Sequence, residues 1–294
     1  MLDKLKVALA LGLFDGVHIG HVKVINQCVK KARKHRLFSV VLTFDGDLKG
    51  YLNKQPLKCV YTYNERQEKI KSLGVDVVHP LKVDETTLSK TAEEFLIELT
   101  EKYQVKYFVC GKDFRFGKNA EGNVKFLKKF AKRKGIKVKV VSPCVRGSKK
   151  ISTTQVKELL SQGKLDKAKK LLGKNYSITG KVIGGRRVGS KLGFPTANVA
   201  VDREKTPLKK GVYAGYVELN GIYKAIINYG GRPSFELYEP LMEVHIIDFN
   251  GDLYEKTITV NFVKFLRETI KFESIEELVE QLEKDVKNAK EIKI

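Results

Sequence analysis

"GLFDGVHIGH", residues 12–21, is where the fold is decided. Upstream of it, "VALAL" (7–11), preceded by Lys6, is an uninterrupted apolar run of strand length, and the reading places a strand over 6–13. Downstream, Val22, Ile25, Val29 and Ala32 recur every three to four residues, which predicts a helix over 20–35 with one apolar stripe against a sheet. A strand, a glycine-bearing loop and a helix form the repeating unit of a parallel α/β sheet. The helix start carries unpaired N–H groups and a partial positive charge, so it can hold a phosphate. His18 and His21 stand at that start and add two hydrogen-bond donors. Taken alone, the pair reads better as two surface histidines in a loop.

The unit repeats. Apolar runs at 38–44, 76–81, 106–110 and 137–141 read as strands, with amphipathic helical patterns at 64–73, 91–102 and 121–134 between them. This alternation predicts a doubly wound parallel sheet, whose ligands bind beyond the carboxyl ends of the strands. Two further stretches follow strands at that end. "GKDFRFGKNAEGN" (111–123) carries Asp113 and Arg115, and "ISTT" (151–154) offers Ser152 and Thr153 with Lys157 one helical turn later. The hydroxyls could simply cap a helix or, with the lysine, face a second phosphate.

After two helices split at Gly163, the texture changes near residue 174 to short alternating strands with glycine turns. "NG" at 220–221 and again at 250–251 reads as two hairpin turns, and a compact antiparallel barrel is expected. Ser274 followed by Glu277 and an apolar stripe of Ile275, Leu278, Val279, Leu282 and Val286 predicts a capped helix on that barrel. Within this half, "VGSKLGFPTANV" (188–199) has Gly189 and Gly193 for close ligand approach and Pro195 to fix the backbone. Thr196 and Asn198 supply oxygens two residues apart, a donor type suited to magnesium, although a glycine-rich hairpin is the plain alternative. Glu243 lies on a strand with His245 on the same face. An inward carboxylate there would be costly without a function, and an outward one ordinary.

The motifs together, H-I-G-H, G-x-D-F-R-F-G and I-S-T-T in the first half and G-F-P-T-A-N in the second, resemble the bacterial bifunctional riboflavin kinase/FMN adenylyltransferase (FAD synthetase) family over nearly the whole chain. The resemblance implies an α/β, Rossmann-like nucleotidyltransferase domain at 1–173. It also implies an antiparallel β-barrel riboflavin kinase domain with a C-terminal helix at 174–294. The expected reactions are ATP-dependent phosphorylation of riboflavin to FMN and adenylylation of FMN to FAD, with Mg2+ as cofactor. His18 and His21 are then catalytic, with Gly12, Phe14, Asp15, Gly16, Asp113, Arg115, Ser152, Thr153 and Lys157 around the nucleotide. In the second half Glu243 is the general base and Thr196 and Asn198 help bind magnesium and ATP. Gly189, Gly193, Pro195 and Asn228 join the nucleotide site, and Arg267 and Phe272 are flavin neighbours or else helix and core residues.

The chain departs from the family pattern at four places. "TFDGDLKG" (43–50) stands where many relatives have T-F-D-P-H-P, Lys157 where an arginine is usual, Glu255 where a glycine is usual, and "GGRPSFE" (230–236) where R-P-T-F is usual. Weakened activity is expected from these, and an enzyme retaining one activity is an alternative.

Composition bounds the remaining classes. The 294 residues suffice for two domains, and 42% hydrophobic with 31% charged residues is globular. The formal charge of +22 admits a nucleic-acid-binding alternative, but anionic small substrates profit from the same field, and no nucleic-acid partner is expected. A class I aminoacyl-tRNA synthetase would share the H-I-G-H motif, but the chain has no K-M-S-K-S stretch. Four dispersed cysteines without a C-x-x-C pair suggest reduced thiols. "KVALALGLFDG" (6–16) is too short to span a bilayer, so a cytoplasmic protein with no membrane partner, monomeric or weakly oligomeric, is expected.

Overall fold

The computed structural model describes residues 5–185, 189, 192–230 and 241–294. Contacts divide the chain into two compact units, Met1–Thr153 and Thr154–Ile294. The first unit comprises β1 (Lys6–Leu11), α1 (Ile19–Lys34), β2 (Phe38–Phe44), α2 (Leu48–Asn53), α3 (Tyr63–Lys71), β3 (Val77–Leu81), α4 (Glu85–Leu88), α5 (Ala92–Lys102) and β4 (Gln104–Gly111). It continues through β5 (Arg115–Phe116), β6 (Gly122–Asn123), α6 (Val124–Arg133), β7 (Lys137–Val141), β8 (Val145–Arg146) and β9 (Lys149–Lys150).

Five strands form a parallel sheet in the order β3-β2-β1-β4-β7. Helices cover both faces, which is why β1 is an unbroken apolar run and not an alternating one. Val7, Leu9 and Leu11 pack with Phe95, Leu96, Leu99, Leu127 and Phe130 of α5 and α6. The opposite face receives α1, whose buried stripe is Val24, Ile25, Cys28, Val29 and Ala32, so Val22 lies at its margin. The connections leave β1 and β4, adjacent central strands, toward opposite edges of the sheet, and the crevice beyond their carboxyl ends is where such sheets bind ligands.

In the second unit α7 (Thr153–Ser161), which begins at the division, and α8 (Leu165–Leu172) precede β10 (Tyr176–Ile183), β11 (Ala197–Ala200), β12 (Gly211–Glu218), β13 (Ile222–Gly230), β14 (Leu241–Ile246), β15 (Thr257–Arg267) and α9 (Ile275–Lys290). Helix α8 packs on β10 and β15, so by contacts it goes with the barrel, whereas the sequence reading put its boundary after residue 173. The strands close in the order β10-β11-β14-β13-β12-β15, with antiparallel neighbours.

The two "NG" signals fare differently. Asn220 and Gly221 join β12 to its neighbour β13, a hairpin as expected. Asn250 and Gly251 lie between β14 and β15, which are not neighbours in the barrel. Turn chemistry specifies a local reversal, but barrel closure chooses the partner. The C-terminal helix is capped by Ser274, whose hydroxyl accepts the Glu277 N–H at 3.2 Å. The Glu277 carboxylate accepts from the N–H of Glu273 at 3.1 Å, one residue earlier than a capping box requires. Val286, Ala289 and Ile292 seat the helix end against Val212, Ala214, Ile226 and Ile247, while Ile275 at its start is exposed.

Candidate active sites

In the first unit, the loop from Gly12 to His18 leaves β1 in a tight and strained path. Phe14 and Val17 are both buried with φ of 51° and 39°, a left-handed conformation costly for a β-branched valine. The Val17 N–H closes a turn on the Phe14 carbonyl at 3.1 Å, and Thr43 Oγ1 on β2 donates to the Leu13 carbonyl at 2.7 Å. A side chain on Gly12 would strike the Phe14 ring at 2.8 Å, so glycine is required there.

His18 is the N-cap of α1, its Nδ1 accepting the His21 N–H at 3.3 Å. The two imidazoles stack with centroids 3.7 Å apart, and Phe14 meets His21 edge-on at 5.5 Å. Burial, with a smaller contribution from Lys150, pushes the His18 imidazole down to about 4. Burial also holds His21 well below the ordinary histidine range, helped by the charges of His18, Arg66, Lys150 and Lys49. Both rings are therefore neutral near neutrality, and Nδ1 of His21 is buried without a hydrogen bond among the described residues. A buried polar atom left over in a crevice marks a place where a ligand or water completes the bonding.

The other residues predicted for this site follow β4 and β9 in the chain. Asp113, just after β4, is ion-paired with Lys150 of the β8–β9 hairpin. That contact holds the Asp113 carboxyl below its ordinary range. Arg115 is exposed on β5, whose partner is Asn123 of β6. Thr153 reaches the histidine loop, since a methyl group on Gly16 would sit 3.5 Å from its Oγ1. Ser152 precedes it, and Lys157 lies one turn along α7, beyond the division between the units. Sequence reasoning missed Arg66, Lys49 and Lys150, because nothing in their local spacing sets them apart from the many other basic residues.

In the second unit the barrel register aligns the predicted polar residues. Asn198 on β11 pairs with Glu243 on β14, Glu243 with Asn228 on β13, Asn228 with Val212 on β12, and Val212 with Arg267 on β15. Asn228 Nδ2 donates to Glu243 Oε2 at 3.5 Å. Met242 and Val244 fill the core, so Glu243 and His245 lie on the outer face of the barrel, and the cost of an inward carboxylate does not arise. His245 bonds through Nδ1 to the Pro195 carbonyl at 2.8 Å and meets the Phe194 ring edge-on, fixing the G-F-P-T segment. Gly189 accepts N–H bonds from Leu192 and Phe194, and Gly193 has φ of 83°. At Gly185 an added methyl would fall 2.0 Å from the Asn198 amide, so glycine there makes room for that side chain.

Arg267 is committed elsewhere than to an open site. Its Nη2 donates to Asp285 at 2.7 Å and its Nε to both carboxylate oxygens, with Asp285 fully buried on α9 and Phe272 beside the guanidinium at 6.0 Å. Val188 and the 231–236 part of "GGRPSFE" lie outside the described residues. No cluster of three or more His, Cys, Asp or Glu side chains suited to a metal occurs among the described residues. A cation at the second site would thus rest on the neutral oxygens of Thr196 and Asn198 together with nucleotide phosphates. Those hard donors, Thr196 just before β11 and Asn198 on it paired with Glu243, fit magnesium.

Residues 2–155 match a family model described as FAD synthetase, and residues 172–293 one described as riboflavin kinase. A bifunctional riboflavin kinase/FMN adenylyltransferase of Buchnera aphidicola (subspecies Schizaphis graminum) is 36% identical over 290 residues, covering 96% of this chain and 93% of that one. The Haemophilus influenzae protein of the same name is 36% identical over 287 residues, with the same coverages. That of Bacillus subtilis is 34% identical over 295 residues, covering 98% and 92%. A crystal structure described as a macrolide-efflux protein from Streptococcus pneumoniae superposes with a TM-score of 0.86 at 29% identity, over 99% of this chain and 100% of that one. No helix among the described residues is long and apolar enough to cross a membrane.

Proposed function

The chain belongs to the bifunctional riboflavin kinase/FMN adenylyltransferase family, and from that premise we propose how its residues divide the two reactions. It phosphorylates riboflavin to FMN with ATP and adenylylates FMN to FAD, releasing pyrophosphate. The observation that carries the division is that each half gathers its own polar cluster, a neutral histidine pair at a strand end in one and a register-aligned Asn-Glu-Asn row in the other.

In the kinase half a neutral alcohol must lose a proton as it attacks the γ-phosphorus of ATP. Glu243 takes that proton, Asn228 and Asn198 flank it, and Gly189, Gly193 and Pro195 shape the nucleotide loop. Thr196 and Asn198 would hold Mg2+, which when bound screens phosphate charge. Phe272 and Arg267, the latter in its pair with Asp285, form a wall for the flavin.

In the adenylyl-transfer half the nucleophile is the FMN phosphate, already an anion, so no strong base is needed. His18 and His21 donate hydrogen bonds at the α1 N-terminus to charge that builds up as pyrophosphate leaves. Gly12, Phe14, Asp15 and Gly16 form the loop wall, and Asp113, Arg115, Ser152, Thr153 and Lys157 hold the rest of the nucleotide. We assign 1–173 to this reaction and 174–294 to the kinase, in a cytoplasmic protein, monomeric or weakly associated, without a nucleic-acid or membrane partner.

Removing either imidazole is expected to cut FAD formation by ~10²-fold or more while riboflavin phosphorylation continues. The decisive test is incubation with riboflavin, ATP and magnesium, followed by chromatography of riboflavin, FMN and FAD over time. FMN followed by FAD supports both assignments. The lost P-H-P segment and Lys157 favour a second reading, a kinase with little adenylyl transfer, which predicts FMN alone. If riboflavin is untouched and FMN gives no FAD either, the assignment fails.

A further inference from the structure

His245 has no part in either reaction as assigned, yet it makes two contacts on the segment leading into β11. The ladder between β11 and β14 runs from Ala200 opposite Leu241 to Ala197 opposite Val244. It cannot be prolonged through Pro195, which has no N–H to donate. The Pro195 carbonyl is taken instead by a side chain: Nδ1 of His245, the next residue along β14, lies 2.8 Å from it. A carbonyl only accepts, so this nitrogen carries the proton and donates. The same imidazole meets the Phe194 ring edge-on, with centroids 5.5 Å apart. Phe194 in turn donates its N–H to the Gly189 carbonyl at 2.9 Å. Thr196 is therefore fastened on both sides to one strand, through Ala197 to Val244 and through Pro195 to His245. Its hydroxyl lies against Gly189, where an added methyl would stand 3.5 Å from Oγ1. Glu243, two residues before His245, is on that same strand and pairs with Asn198.

We infer that His245 is a positioning residue of riboflavin phosphorylation: by holding the Pro195 carbonyl and the Phe194 ring, it sets the Thr196 hydroxyl in place relative to Glu243. The inference rests on the reading of Thr196 and Asn198 as magnesium donors and of Glu243 as base. A neutral hydroxyl holds magnesium weakly, so any ordering of its segment on binding would subtract directly from affinity. A segment fastened beforehand avoids that loss. A hydroxyl displaced relative to the base would also lower turnover, since transfer depends on alignment.

His245→Phe keeps a ring beside Phe194 and removes the donor, whereas His245→Asn places an amide N–H near where Nδ1 stands. Riboflavin phosphorylation is followed for kcat, KM for riboflavin and the magnesium concentration at half-maximal rate. Exchange of the Phe194 amide is followed by NMR in the ligand-free protein. His245→Phe is expected to raise the half-saturating magnesium roughly 10-fold and to lower kcat by a similar factor, with KM for riboflavin little changed. Its Phe194 amide should exchange faster. His245→Asn should restore both the magnesium dependence and the exchange rate. Because the effect passes through Thr196, Thr196→Val and the double variant Thr196→Val/His245→Phe should share one magnesium dependence. An unmoved magnesium dependence in His245→Phe, a further shift in the double variant, or a loss that His245→Asn shares in full overturns the inference. Should His245→Phe not fold, His245→Ala, which leaves the same bond unmade, carries the same expectations. If Thr196→Val leaves the magnesium dependence unmoved, it is the metal reading of Thr196 that fails, and the inference falls with it.

Discussion

His18 serves α1 as an N-cap through an imidazole nitrogen, a task usually given to serine, threonine or aspartate. Accepting the His21 N–H requires that nitrogen to be unprotonated, and burial keeps it so down to about 4. The unfolded chain takes up the same proton near the ordinary histidine value of 6.5. Between those values the unfolded state binds more protons, so stability falls as pH drops from 6.5 toward 4 and is insensitive to this group above 6.5. The loss should be on the order of 3 kcal/mol over the window. Denaturant unfolding at a series of pH values checks it, and His18→Asn, which keeps a capping oxygen, should flatten the slope. The pair's place was legible from its spacing after a strand, but its neutrality was not. Burial decides it, helped by the charges of Lys150 and, for His21, Arg66, which belong to other parts of the chain. Glu255 gives the converse case: the reading marked it as a glycine position, and the structure shows why, with φ of 65° and a surface ion pair to Lys181.

At the scale of elements, the second site is a consequence of strand register. A shift of one residue between β11 and β14 would turn Asn198 and Glu243 to opposite faces. The sequence showed Glu243 and His245 on one face, but register with β11 and β13 decided that this face is the outer one beside Asn198 and Asn228. Arg267 was read as a flavin neighbour from its motif. The buried Asp285, eighteen residues later, holds it in an ion pair that fastens α9 to the end of β15. Gln281 completes the carboxylate's bonding at 3.1 Å. Asp285→Asn removes the buried countercharge of the part-exposed Arg267 and weakens its charge-assisted hydrogen bonds, so a loss of about 1–3 kcal/mol is expected in unfolding of the barrel unit. Chemical denaturation measures it, and riboflavin affinity should fall in parallel as Phe272 loses its support.

At the scale of the whole molecule, the chain behaves as two cores. Leu165, Ala168, Leu171 and Leu172 are buried on α8, which packs on β10 and β15. A fragment 154–294 should therefore melt at a higher temperature than a fragment 174–294, and calorimetry on the two separates them. Apart from the short elements α2, α4, β5, β6, β8 and β9, the sequence by itself determined the five strands of the parallel sheet, the main helices between them and the existence of a barrel. These depend on short-range periodicity and turn chemistry, which are written within a few neighbouring residues. Only the tertiary structure decided that Asn250 and Gly251 lead away from a neighbouring strand, that Arg267 is claimed by Asp285, and that the Arg66 guanidinium is buried on the Phe44 carbonyl. Each depends on groups far apart in the chain, where burial and charge act through space and leave no period in the sequence.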